Sequence, residues 1–218
     1  MHIQEHIITH LPVFTIEETF EKVLEFFKES TYSHVAITEQ GRFLGVFSEN
    51  DIETIKSNSK VDTARYDLQS FFAFKETNWL DVLEAFARNE ANLLPVLGAE
   101  EEVLGYYDLT DIVAVFIDTP FFTDPGNILV VAVGAKDYSF SEIAQIVESN
   151  NAKMIGGFIT DIQNDVVQIT IKISTVNFNE VVQTFRRYNY HILFGTSDDQ
   201  FLEGLKQRSD YLDTYLNV

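Results

Sequence analysis

Cysteine is absent from the 218-residue chain, which by inventory excludes disulfides, thiolate nucleophiles and cysteine-ligated zinc or iron–sulfur centres. Basic residues are scarce: 15 Lys and Arg stand against 34 Asp and Glu, for a formal charge of −19. So acidic a surface repels nucleic acid and anionic membranes unless cations cluster locally, and the sequence holds no such cluster. Neither partner is expected. No run approaches the ~20 apolar residues that span a bilayer. The opening Met1-His2-Ile3-Gln4-Glu5 lacks the basic and apolar regions of a secretion signal, so a cytoplasmic location is the expectation. A Gly-x-Ser-x-Gly elbow, a Walker loop and a His-Glu-x-x-His pair are also missing, and the chain is read as a non-enzyme. His2, His6 and His10 recur every four residues, but Leu11-Pro12 interrupts a helix there and only Glu5 could join them. No metal site is expected.

What the chain does contain is a repeat. Leu44-Gly45-Val46-Phe47-Ser48-Glu49-Asn50-Asp51-Ile52 returns as Leu104-Gly105-Tyr106-Tyr107-Asp108-Leu109-Thr110-Asp111-Ile112, an offset of 60 residues between Asp51 and Asp111. Both copies read as a strand running through a glycine into a polar helix start, and repetition at this period points to two stacked units, each too small to close a core alone.

Each copy has the same expected order. In the first, Ile16, Phe20, Val23-Leu24 and Phe27 form the apolar stripe of a helix from Thr15, its N-cap, to Ser30. Strands His34 to Thr38 and Arg42 to Ser48 follow, turning at Glu39-Gln40-Gly41, and Ser48 caps a second helix. Residues 57–63 read as a polar linker. In the second copy Phe71-Phe72-Ala73-Phe74 resembles a buried strand, Asn78 caps a helix from Trp79 to Asn89, strands run from Leu93 to Leu97 and from Val103 to Tyr107, and a helix spans Leu109 to Ile117.

The repeated turn carries the chemistry of a site. Backbone N–H groups and the Ser48 hydroxyl suit a phosphate, and the Asp51 carboxylate, accepting two hydrogen bonds, suits the vicinal hydroxyls of a ribose. The same two residues also have the spacing of a capping box that satisfies only the local backbone. Spacing leaves both readings open.

Helix, strand, strand, helix, twice over, resembles a tandem pair of CBS domains. Gly45-Val46-Phe47-Ser48-Glu49-Asn50-Asp51 is similar to that family's adenosine-site pattern of Gly, two apolar residues, Ser or Thr, any two, Asp. The resemblance implies that Asp51 holds a ribose and Ser48 approaches a phosphate, that Thr9 of Ile8-Thr9 is the threonine preceding the first strand, and that Gly105, Asp108 and Asp111 mark a second cleft. Asp108 stands where Ser or Thr is expected, and a carboxylate facing a phosphate is unfavourable. An uncharged nucleoside, or nothing, is expected in the second cleft. Ala36 replaces the family's proline on the first copy's strand, whereas Pro95 keeps it in the second. No Arg or Lys is evident near either motif, leaving His34 as the nearest candidate cation.

Two prolines and a glycine between Asp118 and Gly126 mark a break, with Phe121 and Phe122 pinned against one neighbour. Beyond it the pattern reads strand (Ile128 to Val133), helix (Ser139 to Asn150), strand (Met154 to Asp161), strand (Val166 to Ser174), helix capped by Asn177, and strand (His191 to Phe194). This is a ferredoxin-like βαββαβ order, and it resembles an ACT domain. Members of that family place a glycine in the first strand-to-helix loop; Tyr138 stands there and is expected to fill the space an amino acid would take. Phe201-Leu202, Leu205, Leu212 and Leu216 line a last amphipathic helix after Asp198-Asp199.

The expected fold is therefore α+β: CBS domains at 1–58 and 65–118, an ACT-like domain at 126–196 and a C-terminal helix at 198–218. The module order is similar to that of the acetoin utilization proteins of the AcuB type. The implied function is regulatory, with no required cofactor, an adenosine nucleotide (AMP, ATP or a relative) as ligand, a homodimer, and a protein target that the sequence does not identify. The alternative is a dimeric scaffold whose clefts hold no ligand.

Overall fold

The computed structural model describes residues 2–52 and 55–195. It falls into two compact units, Met1–Asp118 and Thr119–Val218. The helix expected at 198–218 lies outside the described residues. Among the described residues, no helix is long and apolar enough to cross a membrane.

The first unit holds the repeat. In each copy a two-residue strand, β1 (Phe14–Thr15) or β4 (Ala73–Phe74), leads to a ten-residue helix, α1 (Phe20–Glu29) or α3 (Trp79–Arg88). An antiparallel hairpin follows, β2 (His34–Glu39) with β3 (Arg42–Ser48), or β5 (Leu93–Leu97) with β6 (Val103–Asp108). A helix closes each copy, α2 (Glu49–Ile52) and α4 (Leu109–Ile117). The short strands lie parallel to β2 and β5, giving two three-stranded sheets. The first hairpin turns on Gln40 and Gly41 with φ of 51° and 81°, the positive pair that matches strand twist.

The copies interleave. Ile8, ahead of the first copy, exchanges both backbone hydrogen bonds with Tyr106 of the second (2.8 and 2.9 Å), and Gln69, ahead of the second copy, exchanges both with Val46 of the first (2.9 and 3.0 Å). Each copy thus lends its leading segment to the other's hairpin. Ile3 and Val46 accordingly sit in one core cluster with Val82, Phe86, Leu94 and Tyr107 of the second copy. Buried Tyr106 pins the seam: its hydroxyl donates to Pro12 O (2.7 Å) and accepts from Ala36 N–H (3.1 Å). A proline at position 36 would remove that N–H, a physical reason for its absence from the first copy.

Three expectations in this unit are corrected. Thr15 is not a cap; it lies in β1, and α1 starts at Phe20 with Thr19 in the N-cap position and no side-chain bond. Ile16 N–H bonds Thr38 O and Glu18 Oε2 accepts from Thr15 N–H, so these residues stay extended and turned rather than helical. The supposed linker ends in a 3₁₀ helix, Val61–Asp67, whose Val61 is fully buried and whose Arg65 grips Glu39 in two hydrogen bonds of 3.1 and 2.5 Å. Of residues 71–74 only Ala73 and Phe74 form a strand, and Phe74 is half exposed.

The second unit opens with the four-residue helix α5 (Pro120–Thr123). Strands β7 (Asn127–Gly134), β8 (Met154–Gln163), β9 (Val166–Ile173) and β10 (His191–Phe194) form one antiparallel sheet in the order β10-β7-β9-β8. Helices α6 (Phe140–Ser149) and α7 (Phe178–Arg187) supply Ile143, Ile146, Val147, Val181, Val182 and Phe185 to the core over Val167, Ile169, Ile171 and Ile173 of β9. This is the split βαββαβ arrangement. On the opposite sheet face Phe121 packs on Phe158, and buried Lys172 donates to Phe121 O (2.7 Å) and Phe122 O (3.2 Å). Asn177 does not cap α7 as expected: its φ is 51°, and its amide donates instead to Asn150 O (2.8 Å).

Candidate functional site

The largest group of sequence-singled residues converges on a cavity of about 420 Å³ in the first unit. Ser33 and His34 line it where β2 begins. Ser48, Glu49, Asn50 and Asp51 enter from the end of β3 and from α2. The second copy completes the wall with Gln69 from its leading segment and with Arg88, Asn89 and Glu90 from the end of α3. Neither copy makes this cleft alone.

Ser33 and Asn92, which occupy equivalent places ahead of β2 and β5, meet at the seam. Asn92 Oδ1 accepts from Ser33 N–H (2.8 Å), Ser33 Oγ accepts from Asn92 N–H (3.0 Å), and Asn92 Nδ2 donates to Thr31 O (2.7 Å). Their carbonyls in turn receive the first N–H groups of the closing helices, Glu49 N to Ser33 O (2.9 Å) and Leu109 N to Asn92 O (3.0 Å). The two helix starts are therefore held against one polar seam.

At the first of them, Ser48 Oγ accepts from Asn50 N–H (3.1 Å). The reciprocal half of a capping box is not made, because exposed Asp51 reaches across the cleft, where Gln69 Nε2 donates to its Oδ2 (2.7 Å). His34 is not a cation here. It is buried, its Nδ1 is bonded with Ser33 Oγ (2.8 Å), and its ring stands edge-on to Phe71. Burial pushes its pKa below 6.5 against the opposing pull of the Asp51 charge, so the imidazole is neutral near pH 7. The cation the sequence did not reveal is Arg88, contributed by the other copy.

Gly45 does not line the cavity. A Cβ there would meet Gln69 O at 2.8 Å and Leu68 Cβ at 2.9 Å, so its bareness admits the crossing backbone rather than a ligand. Gly105 serves the same end: with φ of 150°, it lies against Ile8 O. Thr9, next to the Ile8–Tyr106 bridge, belongs beside the second copy and not in the first cleft. Gln69 lines the first cleft and makes there the bridge that Ile8 makes beside the second copy; the 60-residue offset carries Ile8 to Leu68, one residue short of it.

In the second copy Asp108 is a helix cap, its Oδ1 accepting from Thr110 N–H (2.6 Å), and exposed Asp111 follows one turn on. Burial, and after it the carboxylates of Asp108 and Asp111, push the Tyr32 phenol above its ordinary pKa. Three acidic or phenolic oxygens thus crowd the place that corresponds to Ser48 and Asp51.

Residues 3–56 match the family model of the CBS domain. The match covers the first copy, whose order of elements the second copy repeats. Among solved structures, similar chains include a CBS domain pair/ACT domain protein of Thermotoga maritima, at 21% identity and a TM-score of 0.49, covering 54% of this chain and 98% of that one. The CBS domains of a transcriptional regulator of Streptococcus pneumoniae share 14% identity at a TM-score of 0.47, over 52% of this chain and 98% of that one. A protein designated CBSX2, in complex with AMP, shares 16% identity at a TM-score of 0.43, over 53% of this chain and 96% of that one. Among curated proteins none matches.

In the second unit a cavity of about 520 Å³ is lined by Gly134, Asp137, Glu142, Tyr188, Asn189 and His191, together with Val133 and Val166. Tyr138 does not fill it; the ring turns edge-on to Phe140. Tyr190 donates to Glu142 Oε2 (2.9 Å), and burial together with that carboxylate pushes its pKa up to about 12. Among the described residues, no group of three or more His, Asp or Glu could hold a metal ion.

Proposed function

We propose that Met1–Asp118 is a CBS pair whose first cleft binds an adenosine-containing ligand, AMP or a relative, and that the chain is a cytoplasmic regulatory protein rather than an enzyme. The second unit serves as an ACT-like dimerisation domain that passes occupancy to a protein target, of the acetoin utilization kind by module order alone. The observation that carries this reading is the exposed Asp51 carboxylate on a polar cavity, with Ser48 and Arg88 on the same wall. Vicinal hydroxyls can replace the Gln69 amide on Asp51, a charge-assisted exchange that favours a ligand presenting two donors. The second cleft, with Asp108 and Asp111 side by side, has no such preference for a nucleotide.

A second reading is favoured by one feature: Ser48 Oγ and Asp51 Oδ2 already have partners in Asn50 and Gln69, so the clefts can serve a dimeric scaffold without ligand. Thermal melting with adenosine, AMP, ADP, ATP and S-adenosylmethionine separates the two. A ligand that binds only the folded state at 100 times its Kd adds about 2.7 kcal/mol. A rise in Tm with at least one of these compounds is expected, and no shift with any of them leaves the scaffold.

A further inference from the structure

We infer that Arg88 is the residue that selects a nucleoside monophosphate over the bare nucleoside in the first cleft, an inference that rests on the adenosine reading of that cleft. Arg88 is the final residue of α3, and the final residue of α1, at the equivalent place in the first copy, is Glu29. The end of α3 lines the first cleft through Arg88, Asn89 and Glu90. Position by position, the second copy thus carries a guanidinium where the first carries a carboxylate.

Among the described residues on the wall of the first cleft, Arg88 is the only basic side chain, set among Glu49, Asp51 and Glu90, since His34 is neutral. Its partner is Glu84, one turn back on α3, at 2.6 Å; the side chains are 75% and 60% exposed. Such solvent-exposed pairs hold weakly, so the guanidinium is free to turn to a better acceptor. A phosphate offers the planar fork two oxygens at once. Three carboxylates against one guanidinium also set the limit. A single phosphate is matched, whereas further phosphates add charge that the wall does not neutralise.

The test is isothermal titration of the full chain with AMP and with adenosine, in the native protein and in Arg88→Ala and Arg88→Lys. In the native protein AMP binds more tightly than adenosine. In Arg88→Ala the AMP affinity falls about tenfold, the worth of one charge-assisted hydrogen bond, while adenosine affinity holds; Arg88→Lys retains part of the preference. Equal affinities for the two compounds in the native protein, or an unchanged AMP preference in Arg88→Ala, overturns the inference and leaves the adenosine reading standing. If neither compound binds the native protein, the reading and the inference fall together.

Discussion

His34 shows how one residue ties the site to stability. Its imidazole sits against Phe71 with Nδ1 spent on Ser33, and desolvation holds its pKa below 6.5. The folded state therefore binds fewer protons than the unfolded chain just below that value. The sign follows: the stability present above pH 6.5 is lost as pH falls through the folded pKa. Native protein should lose more Tm between pH 7.5 and 5.5 than His34→Gln, measured by thermal melting at each pH; equal losses would contradict the burial argument. The sequence placed His34 beside the motif, yet it suggested a cation because nothing in the residue order reveals burial. Arg88 escaped notice for the opposite reason. It lies far along the chain from Asp51 and reaches the cleft only because the second copy packs against the first, where Asn92 is hydrogen-bonded to Ser33.

At the scale of elements, the legible features were those written in local chemistry. Asn78 accepts from Leu80 N–H (2.9 Å) and Asp81 N–H (3.2 Å), as its position before an apolar stripe led one to expect. Asn78→Ala should cost about 1 kcal/mol by chemical denaturation. A change below a few tenths would mean that packing of Val82 and Phe86 alone starts α3. The turn between β8 and β9 rests on the same kind of local chemistry: Asn164 and Asp165 both take positive φ (49° and 60°), which two-residue turns demand and which Asn and Asp tolerate. The start of α1 was not legible. The apolar spacing of Ile16 continues the helical stripe, but a long-range bond from Ile16 N–H to Thr38 O holds the chain extended, and local periodicity cannot record such a bond. Asn177 failed in the same way: its left-handed φ and its bond to Asn150 O belong to a tertiary contact, not to a cap.

For the molecule as a whole, the repeat was visible because its period is long and its glycines recur. The glycines' role was not. Gly45 and Gly105 exist to let one copy's leading backbone cross the other's hairpin, and that crossing makes the two copies one folding unit. A fragment of residues 1–118 should therefore unfold in one cooperative transition. A fragment of residues 1–58 lacks both Tyr106 and Gln69 as partners and should show no cooperative transition; a cooperatively folded 1–58 fragment would refute the interleaved account. The two copies together assemble the cleft, with Asp51 from one copy opposite Gln69 and Arg88 from the other. The proposed function rests on that cleft, and its most direct measurement is isothermal titration of adenosine into native protein and Asp51→Ala. Binding by the native protein, weakened at least about tenfold in Asp51→Ala, is the predicted result. No heat with the native protein, or the same affinity in both, would contradict it.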